Sequence, residues 1–306
     1  MEFSRPLLAD KPVIVQLIAL LLFCVAGAIV FSALGMLVSY AIFHTFDPYA
    51  AGDPATHIRI TQAFSSVGTF LAPALLFAYC QDRRWFHYNR ADRRPYYLLV
   101  NVTLVLSVVI LPIVAILNQW NQALTLPDSM NGLETIMKQL ETKSEDILQL
   151  LTFNHTYGTL AANLLVLALL PAICEEFLFQ GALQAFIMEK SRKPHLAIWL
   201  TAFIFSTIHF QFYGFVPRFF LGAYLGYLFY WSRSLWLPIL AHFLHNALSI
   251  LVDFTLAGRG ILTDEMEFTQ IKGSMPLLIS CAVVAFVSLA FMWRIQRDYY
   301  KEDYNK

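Results

Sequence analysis

Long runs of apolar residues, separated by short polar stretches, follow one another along most of the 306-residue chain. A helix needs about 20 apolar residues to cross the hydrocarbon core of a membrane. By this measure the pattern predicts eight membrane-spanning helices, at residues 13–43, 61–80, 97–117, 159–188, 196–212, 216–231, 234–254 and 275–294. The expected fold class is therefore an all-α, polytopic membrane helical bundle, with residues 1–306 as a single transmembrane domain.

The longest polar stretch, residues 118–158, contains a helix of a different kind. Asn131 is followed three residues later by Glu134, the spacing of a helix N-cap with an acidic first turn. Apolar residues then recur at helical spacing, namely Leu133, Ile136, Met137, Leu140, Ile147, Leu148 and Leu151. We expect an amphipathic helix outside the membrane over about residues 128–152, with either a packing or a gating role.

Positive charge is distributed unevenly between the two sides of the predicted bundle. Lys and Arg residues concentrate in the cytoplasmic loops of membrane proteins. Most of the 21 Lys and Arg residues fall on one side if the N-terminus is cytoplasmic and eight spans follow. Both termini are therefore expected in the cytoplasm.

Composition supports a membrane protein and argues against other classes. Hydrophobic residues make up 58% of the chain and charged residues 14%, whereas soluble domains carry about 25% charge. The basic residues lie at the predicted membrane edges, which gives nucleic-acid binding no support. The four cysteines lie in apolar runs without metal-ligand spacing, so we expect packing residues.

Two adjacent glutamates, Glu175 and Glu176, interrupt the apolar run of residues 159–188. One carboxylate at membrane depth costs roughly 3 kcal/mol, and two together repel each other. Helix formation does not require them, so they predict a functional site that faces a cavity. A buried structural hydrogen bond is the plainer alternative.

Polar residues occur in two other predicted spans. His209 lies near the end of the fifth, and His242 and Asn246 share one face of the seventh because they are four residues apart. At about 1.5 Å per residue, Glu175, His209 and His242 are expected to meet in the middle third of the membrane. We expect these side chains and Asn246 to line one cavity, reached from the cytoplasm or laterally.

This set of side chains suits the activation of water in two ways. A carboxylate or a neutral imidazole takes a proton from water, and the Asn246 amide donates a hydrogen bond to an oxyanion. Alternatively, Glu175, His209 and His242 form the ligand set of a hydrolytic zinc ion. At this stage a zinc cofactor and a metal-free glutamate mechanism both stay open.

Three motifs in this region resemble those of one family. Glu175-Glu176-x-x-x-Gln180, Phe205-x-x-x-His209 and His242-x-x-x-Asn246 are similar, in this order, to EExxxR, FxxxH and HxxxN. These are the motifs of the CPBP intramembrane proteases, which include the CAAX prenyl proteases and the Abi bacteriocin-processing proteins. The resemblance covers about residues 159–254. It implies an intramembrane endopeptidase of all-helical fold with its site inside the bilayer.

The resemblance also implies a role for each motif residue. Glu175 would be the water-activating carboxylate or a metal ligand, with Glu176 as the supporting carboxylate. His209 and His242 would bind water or metal, and Asn246 would form the oxyanion site. The implied substrate is a membrane-embedded or lipidated peptide, such as the prenylated C-termini that eukaryotic members cleave.

Gln180 stands where the family has an arginine. Four residues after Glu176, an arginine would pair with that carboxylate, whereas a glutamine donates a hydrogen bond without neutralising the charge. We therefore expect a hydrogen bond between Gln180 and Glu176. The departure also keeps a second function open, that of a catalytically silent relative that binds membrane peptides as an immunity or scaffold protein.

Two further expectations concern rival classes and location. A transporter that relays protons through Glu and His would predict an inverted repeat, and none is visible in the sequence. The sequence carries no recognisable organelle signal, so the expected location is a bacterial plasma membrane.

Overall fold

The computed structural model describes residues 6–152, 154–257 and 275–299. Within these ranges the chain forms nine long helices and no strand. Their bounds are α1 Val13–Phe43, α2 Pro54–Gln81, α3 Tyr97–Gln122, α4 Asn131–Thr152, α5 Tyr157–Ser191, α6 Pro194–Thr207, α7 Phe215–Ser232, α8 Trp236–Ala257 and α9 Met275–Tyr299. The predicted all-α polytopic bundle is confirmed.

Six of the described helices, α1, α2, α3, α5, α8 and α9, are long and apolar enough to cross a membrane. The other two predicted spans coincide with α6, of 14 residues, and α7, of 18 residues. A helix of the length of α6 rises only about 21 Å, less than the roughly 30 Å hydrocarbon core. The count of eight spans and the cytoplasmic termini stay predictions, because residues 1–5 and 300–306 lie outside the described residues.

Helix α5, which carries the glutamate pair, contains two π-helical segments. A regular segment, Leu170–Glu176, lies between two π-helical segments, Leu164–Leu169 and Phe177–Gln184. Pro171 lacks the backbone N–H for the helical ladder, and its ring crowds the carbonyl four residues earlier. The wider π-helical winding just before it makes room for the ring. The helix therefore continues through the proline and carries both glutamates beyond it.

Helices α6 and α7 pack closely through two glycines of α7. A Cβ atom added at Gly222 would lie 3.1 Å from the Phe205 ring, and one at Gly226 would lie 2.6 Å from Oε1 of Gln184. The Gln184 amide of α5 donates a hydrogen bond of 2.9 Å to the Gly226 carbonyl. These contacts join α5, α6 and α7, which together form one side of the candidate site.

Helix α4 forms where the amphipathic pattern predicts a helix. Its C-terminal end is held by Arg59 of α2, which donates hydrogen bonds to the Leu151 carbonyl (2.7 Å) and to the Asn163 side chain (3.0 Å). Near its other end, Glu134 accepts a hydrogen bond of 3.3 Å from Tyr213. Because Tyr213 belongs to the connection between α6 and α7, helix α4 lies beside that end of the bundle. Its location outside the membrane stays a prediction.

Helices α1 and α2 cross where Gly27 meets Gly68. Gly68 lies in a π-helical segment of α2, Val67–Leu71, which is followed by Pro73. Helix α5 shows the same arrangement, with a π-helical segment just before Pro171. A Cβ atom added at Gly27 would lie 2.1 Å from the Gly68 carbonyl oxygen, and one at Gly68 would lie 2.5 Å from the Gly27 oxygen. Cβ atoms do not approach backbone oxygens so closely, so this crossing requires glycine on both helices.

We expect Gly27→Ala to lower the melting temperature, because the backbone of Gly68 can yield only if α1 and α2 separate. Overpacking of this kind costs about 1–3 kcal/mol. Gly132→Ala is the matched control, since nothing lies within 4 Å of its added Cβ. Alanine in place of a helical glycine stabilises by about 0.5–1 kcal/mol. Thermal unfolding in detergent micelles measures both variants, and a Gly27→Ala protein as stable as the parent would contradict this crossing.

Candidate active site

A cavity of about 380 Å³ lies between α3, α5, α6, α7, α8 and the connection from α6 to α7. Its polar lining residues are Asn118, Glu175, His209, Arg218, His242, His245 and Asn246, and we call it the polar cavity. The structure thus brings Glu175, His209, His242 and Asn246 together around one space. Glu176 is fully buried and does not line this space.

Glu175 faces the polar cavity from the regular segment of α5. About 13% of its side chain is exposed, and its Oε2 lies 4.0 Å from Nε2 of His242. This separation is too long for a direct hydrogen bond. The carboxylate can therefore accept a hydrogen bond from a water molecule in the cavity while it stays close to the imidazole.

Glu176 points to the protein interior and contacts the other nitrogen of the same histidine. Its Oε1 lies 2.9 Å from Nδ1 of His242, and both side chains are buried. A hydrogen bond from Nδ1 to a carboxylate orients an imidazole and leaves Nε2 directed elsewhere. Glu176 therefore fixes the ring of His242 with Nε2 toward Glu175.

The expected hydrogen bond between Glu176 and Gln180 does not form. Gln180 is buried, does not line the polar cavity, and its Oε1 has no hydrogen-bond partner within the described ranges; the same holds for Oε2 of Glu176. The expectation assumed α-helical winding, in which residues four apart share a face. Gln180 lies in the π-helical segment Phe177–Gln184, where hydrogen bonds span five residues and the faces shift.

His209 lies just beyond the end of α6 and not within a helix, as the predicted span of 196–212 would place it. Its Nδ1 donates a hydrogen bond of 2.7 Å to the Phe205 carbonyl. The last four carbonyls of a helix lack intrahelical partners, so the imidazole satisfies one of them. Phe210 follows with φ of 53°, a left-handed conformation that turns the chain away. The four-residue spacing of the FxxxH motif therefore lets the His209 side chain bond the Phe205 carbonyl at the end of the helix.

The polar cavity lies nearer one end of the bundle than the sequence suggested. Its lining includes His209 and Gly214 from the connection between α6 and α7, and Asn118 close to the end of α3. The charge pattern assigns this end to the non-cytoplasmic side. These lining residues therefore give no support to the prediction that the cavity is reached from the cytoplasm. His209 reaches the cavity from the connection after α6, because α6 ends at Thr207 and its last predicted turn is not helical.

Three lining residues were not among the predicted site residues. Asn118 lies on α3, His245 lies one turn from His242 on α8, and Arg218 lies in the first turns of α7. Arg218 offered a signal, since a lone cation in an apolar span is costly and usually faces a cavity. In the charge pattern it counts only as one of the basic residues on the non-cytoplasmic side.

The residues of the polar cavity fit a zinc site only in part. His209 and His242 each have Nδ1 bonded to an oxygen, which is the usual second bond of a metal-binding histidine. In the part of the chain that the structure describes, however, no three His, Cys, Asp or Glu side chains form a group that could hold a metal ion. As placed, Glu175 and the two histidines do not complete a ligand set. The zinc ion stays a prediction.

Comparison with known proteins bears on the same part of the chain. Residues 157–248 match the family model described as "Type II CAAX prenyl endopeptidase Rce1-like". The resemblance to the CPBP family is confirmed. The matched segment, which we call the Rce1-like segment, runs from the start of α5 into α8 and contains all three motifs.

One curated relative matches part of this chain. The "Uncharacterized protein YpbD" of Bacillus subtilis (strain 168) is 30% identical over 89 residues, which are 28% of this chain and 42% of that protein. The chain thus spans less than half the length of this relative. No solved structure matches the chain.

The Rce1-like segment supports a peptidase role at the level of the family. Together with the six long apolar helices, it supports a multi-pass membrane protein. The relative is uncharacterised and adds neither a substrate nor a mechanism. The chemistry of this chain therefore has to be inferred from its own side chains.

We expect Glu176→Leu to destabilise the protein more than Glu176→Gln. Glutamine keeps an oxygen that can accept the hydrogen bond from His242, whereas leucine leaves a buried imidazole nitrogen unpaired. Stranding a buried polar group costs about 1–3 kcal/mol. Glu189→Leu is the control, because its side chain on the same helix is 53% exposed and surface changes cost at most about 0.5 kcal/mol. Equal melting temperatures for the Leu and Gln variants at Glu176 would contradict the structural role of this contact.

Proposed function

We propose that this protein is an intramembrane endopeptidase that hydrolyses a peptide bond of a membrane-embedded or lipidated peptide with water activated by Glu175. The observation that carries the proposal is the polar cavity, where one carboxylate, three imidazoles, two amides and a guanidinium line one space inside an apolar bundle. A cavity built to bind only apolar chains would not need these groups. The family match supports the same reaction class.

In the proposed reaction Glu175 acts as the general base. It takes a proton from a water molecule in the cavity as the water oxygen attacks the carbonyl carbon of the scissile bond. Burial in an apolar bundle disfavours the ionised carboxylate and so strengthens it as a base. Proximity to His242 Nε2, at 4.0 Å, offsets part of this cost when the imidazole is protonated.

The attack converts the carbonyl oxygen into an oxyanion, which needs hydrogen-bond donors in the cavity. The Asn246 amide lines the same space and is the donor we propose. The His209 ring, whose Nδ1–H is bonded to the Phe205 carbonyl, offers Nε2 as an acceptor for the attacking water. Donors aimed at a developing charge typically contribute a factor of about 100–1,000 in rate. The intermediate then collapses with cleavage of the C–N bond, and the proton held by Glu175 passes to the leaving amine.

Two contacts prepare these groups before a substrate binds. The Phe205 carbonyl fixes the ring of His209, and Glu176 fixes the ring of His242. Each imidazole thus keeps Nδ1 protonated and bonded, with Nε2 left for the cavity. Such preorganised groups lose little energy to reorientation during the reaction.

The reaction as proposed contains no metal step, and zinc is tested separately. A purified enzyme that loses cleavage in the presence of a chelator and regains it with Zn²⁺ would favour the ligand set of Glu175, His209 and His242. Retained cleavage after chelation would favour the glutamate mechanism.

A catalytically silent relative is the second candidate, and Gln180 is the observation in its favour. The family arginine is absent, so any step that needs a cation at this position would fail. In the structure, however, His242 rather than residue 180 contacts Glu176. We propose that His242 stabilises Glu176 in place of the arginine. We further propose a bacterial plasma membrane as the location, which the Bacillus relative supports.

We expect Glu175→Gln to reduce cleavage by a factor of about 100–10,000, the usual contribution of a general base. His209→Ala and His242→Ala are expected to abolish most cleavage as well. The assay uses the parent and the variants in proteoliposomes with a pool of synthetic membrane-spanning peptides, and mass spectrometry of the products. Glu189→Gln, an exposed position on the same helix, is the control and should cleave like the parent.

Two outcomes would contradict the proposal in different ways. If Glu175→Gln cleaves at the parent rate, Glu175 is not the base. If the parent binds peptides of the pool but cleaves none, the silent relative is the correct function.

A further inference from the structure

Arg218 lines the polar cavity but has no part in the proposed hydrolysis. Its Nη2 donates a hydrogen bond of 2.6 Å to Oε1 of Gln211. The guanidinium also covers Gly214, where an added Cβ would lie 2.9 Å from Nη2. The hydrogen bond to Gln211 thus holds one nitrogen of the guanidinium, and a larger residue at position 214 would displace the side chain.

The other terminal nitrogen of this guanidinium is buried and unused. Nη1 of Arg218 has no hydrogen-bond partner among the described residues. A buried charged donor without a partner is costly, so such a group usually receives an acceptor from a ligand or from water. Glu175 and Glu141 are the carboxylates near enough to attract Arg218, and neither forms an ion pair with it. The guanidinium thus borders the polar cavity and has one donor that no described side chain uses.

The positive charge of Arg218 changes how the cavity interacts with a negatively charged peptide group. Glu175 is an anion when it acts as a base, and it would repel a negatively charged group on an incoming peptide. A guanidinium in the same cavity offsets that repulsion, and it binds carboxylates with short, directional and often bidentate hydrogen bonds. A peptide contains two kinds of carboxylate, the free C-terminus and the acidic side chain.

We infer that Arg218 forms a subsite that binds a carboxylate of the peptide held in the polar cavity, and so selects peptides that carry such a group near the scissile bond. This inference rests on the proposed function only in assuming that a peptide bond near the bound carboxylate is cleaved. Binding of a carboxylate peptide by Arg218 can be measured without any cleavage.

Glu141 of α4 is the competing partner for Arg218. If Arg218 served only to anchor α4, its buried nitrogen would be expected to bond Glu141, whose Oε2 is itself buried without a hydrogen bond. Burial raises the pKa of Glu141, with Arg218 opposing the rise, so its carboxyl is a weaker anion than an exposed one. The variant Glu141→Gln therefore separates an anchoring role from a substrate-binding role.

The test measures binding in the Glu175→Gln protein, which holds the peptides without the proposed cleavage. The probe is a fluorescent pool of single-span peptides of mixed sequence, prepared with a free C-terminal carboxylate or with a C-terminal amide. A second pair of amidated pools carries either Asp or Asn near the end. We expect one carboxylate pool to bind about 10-fold more tightly than its neutral twin, and the pair that shows the preference identifies the source.

Substitutions then assign the preference to a residue. Arg218→Gln should reduce the 10-fold preference to about 1, and Arg218→Lys should keep part of it because lysine retains the charge without the bidentate geometry. Lys143→Gln removes one positive charge from an exposed site on α4 and should leave the preference unchanged. Glu141→Gln should also preserve it. Melting temperatures confirm that each variant is folded.

Three results would overturn the inference. Equal binding of acid and amide pools by the Glu175→Gln protein would do so, as would absence of binding by either pool. Equal loss of affinity for both pools in Arg218→Gln and Glu141→Gln would show that Arg218 only anchors α4. Failure of the proposed function is distinct, because it appears as a parent protein that binds but does not cleave.

Discussion

An ionisable side chain in the interior of a membrane bundle must have a partner, and the contact between Glu176 and His242 meets this requirement for two of them at once. The carboxylate is fully buried, and the imidazole is almost as deep. Alone, either group would cost several kcal/mol in an apolar surrounding. Together they form a bridge between α5 and α8 that leaves Glu175 as the carboxylate in the cavity. His242 hydrogen-bonds Glu176 and not Glu175, and this contact separates the buried glutamate from the one that lines the cavity.

The sequence predicted the fold class and the polar set because their physical causes are local. Apolar runs of sufficient length predict spans, and carboxylates or imidazoles in such runs predict a cavity, whatever the details of packing. Helices occur at all eight expected positions within the described residues. Glu175, His209, His242 and Asn246 line one cavity, although their separate roles stay proposals.

What the sequence could not predict depends on backbone winding and on helix ends. The interpretation of Gln180 as a neighbour of Glu176 assumed α-helical geometry, which the π-helical segment replaces. The placement of His209 inside a span failed because its side chain closes the end of α6 instead of continuing it. Arg218 was overlooked because it was counted only among the basic residues of the non-cytoplasmic side, whereas its importance depends on the cavity that it lines. None of these features can be inferred from residue type and α-helical spacing alone.

The winding of α5 has a consequence for how the chain can change. Each residue of an α-helix turns the direction of the next side chain by about 100°, and a π-helical turn absorbs one additional residue without breaking the ladder. The segment Leu164–Leu169 therefore sets the rotational phase between the outer part of α5 and the part that carries Glu175. Removing one residue there would rotate the two parts against each other by roughly a quarter of a turn. Either Glu175 would leave the cavity or the apolar residues before it would leave the lipid. The number of residues in this helix is thus as constrained as their identity.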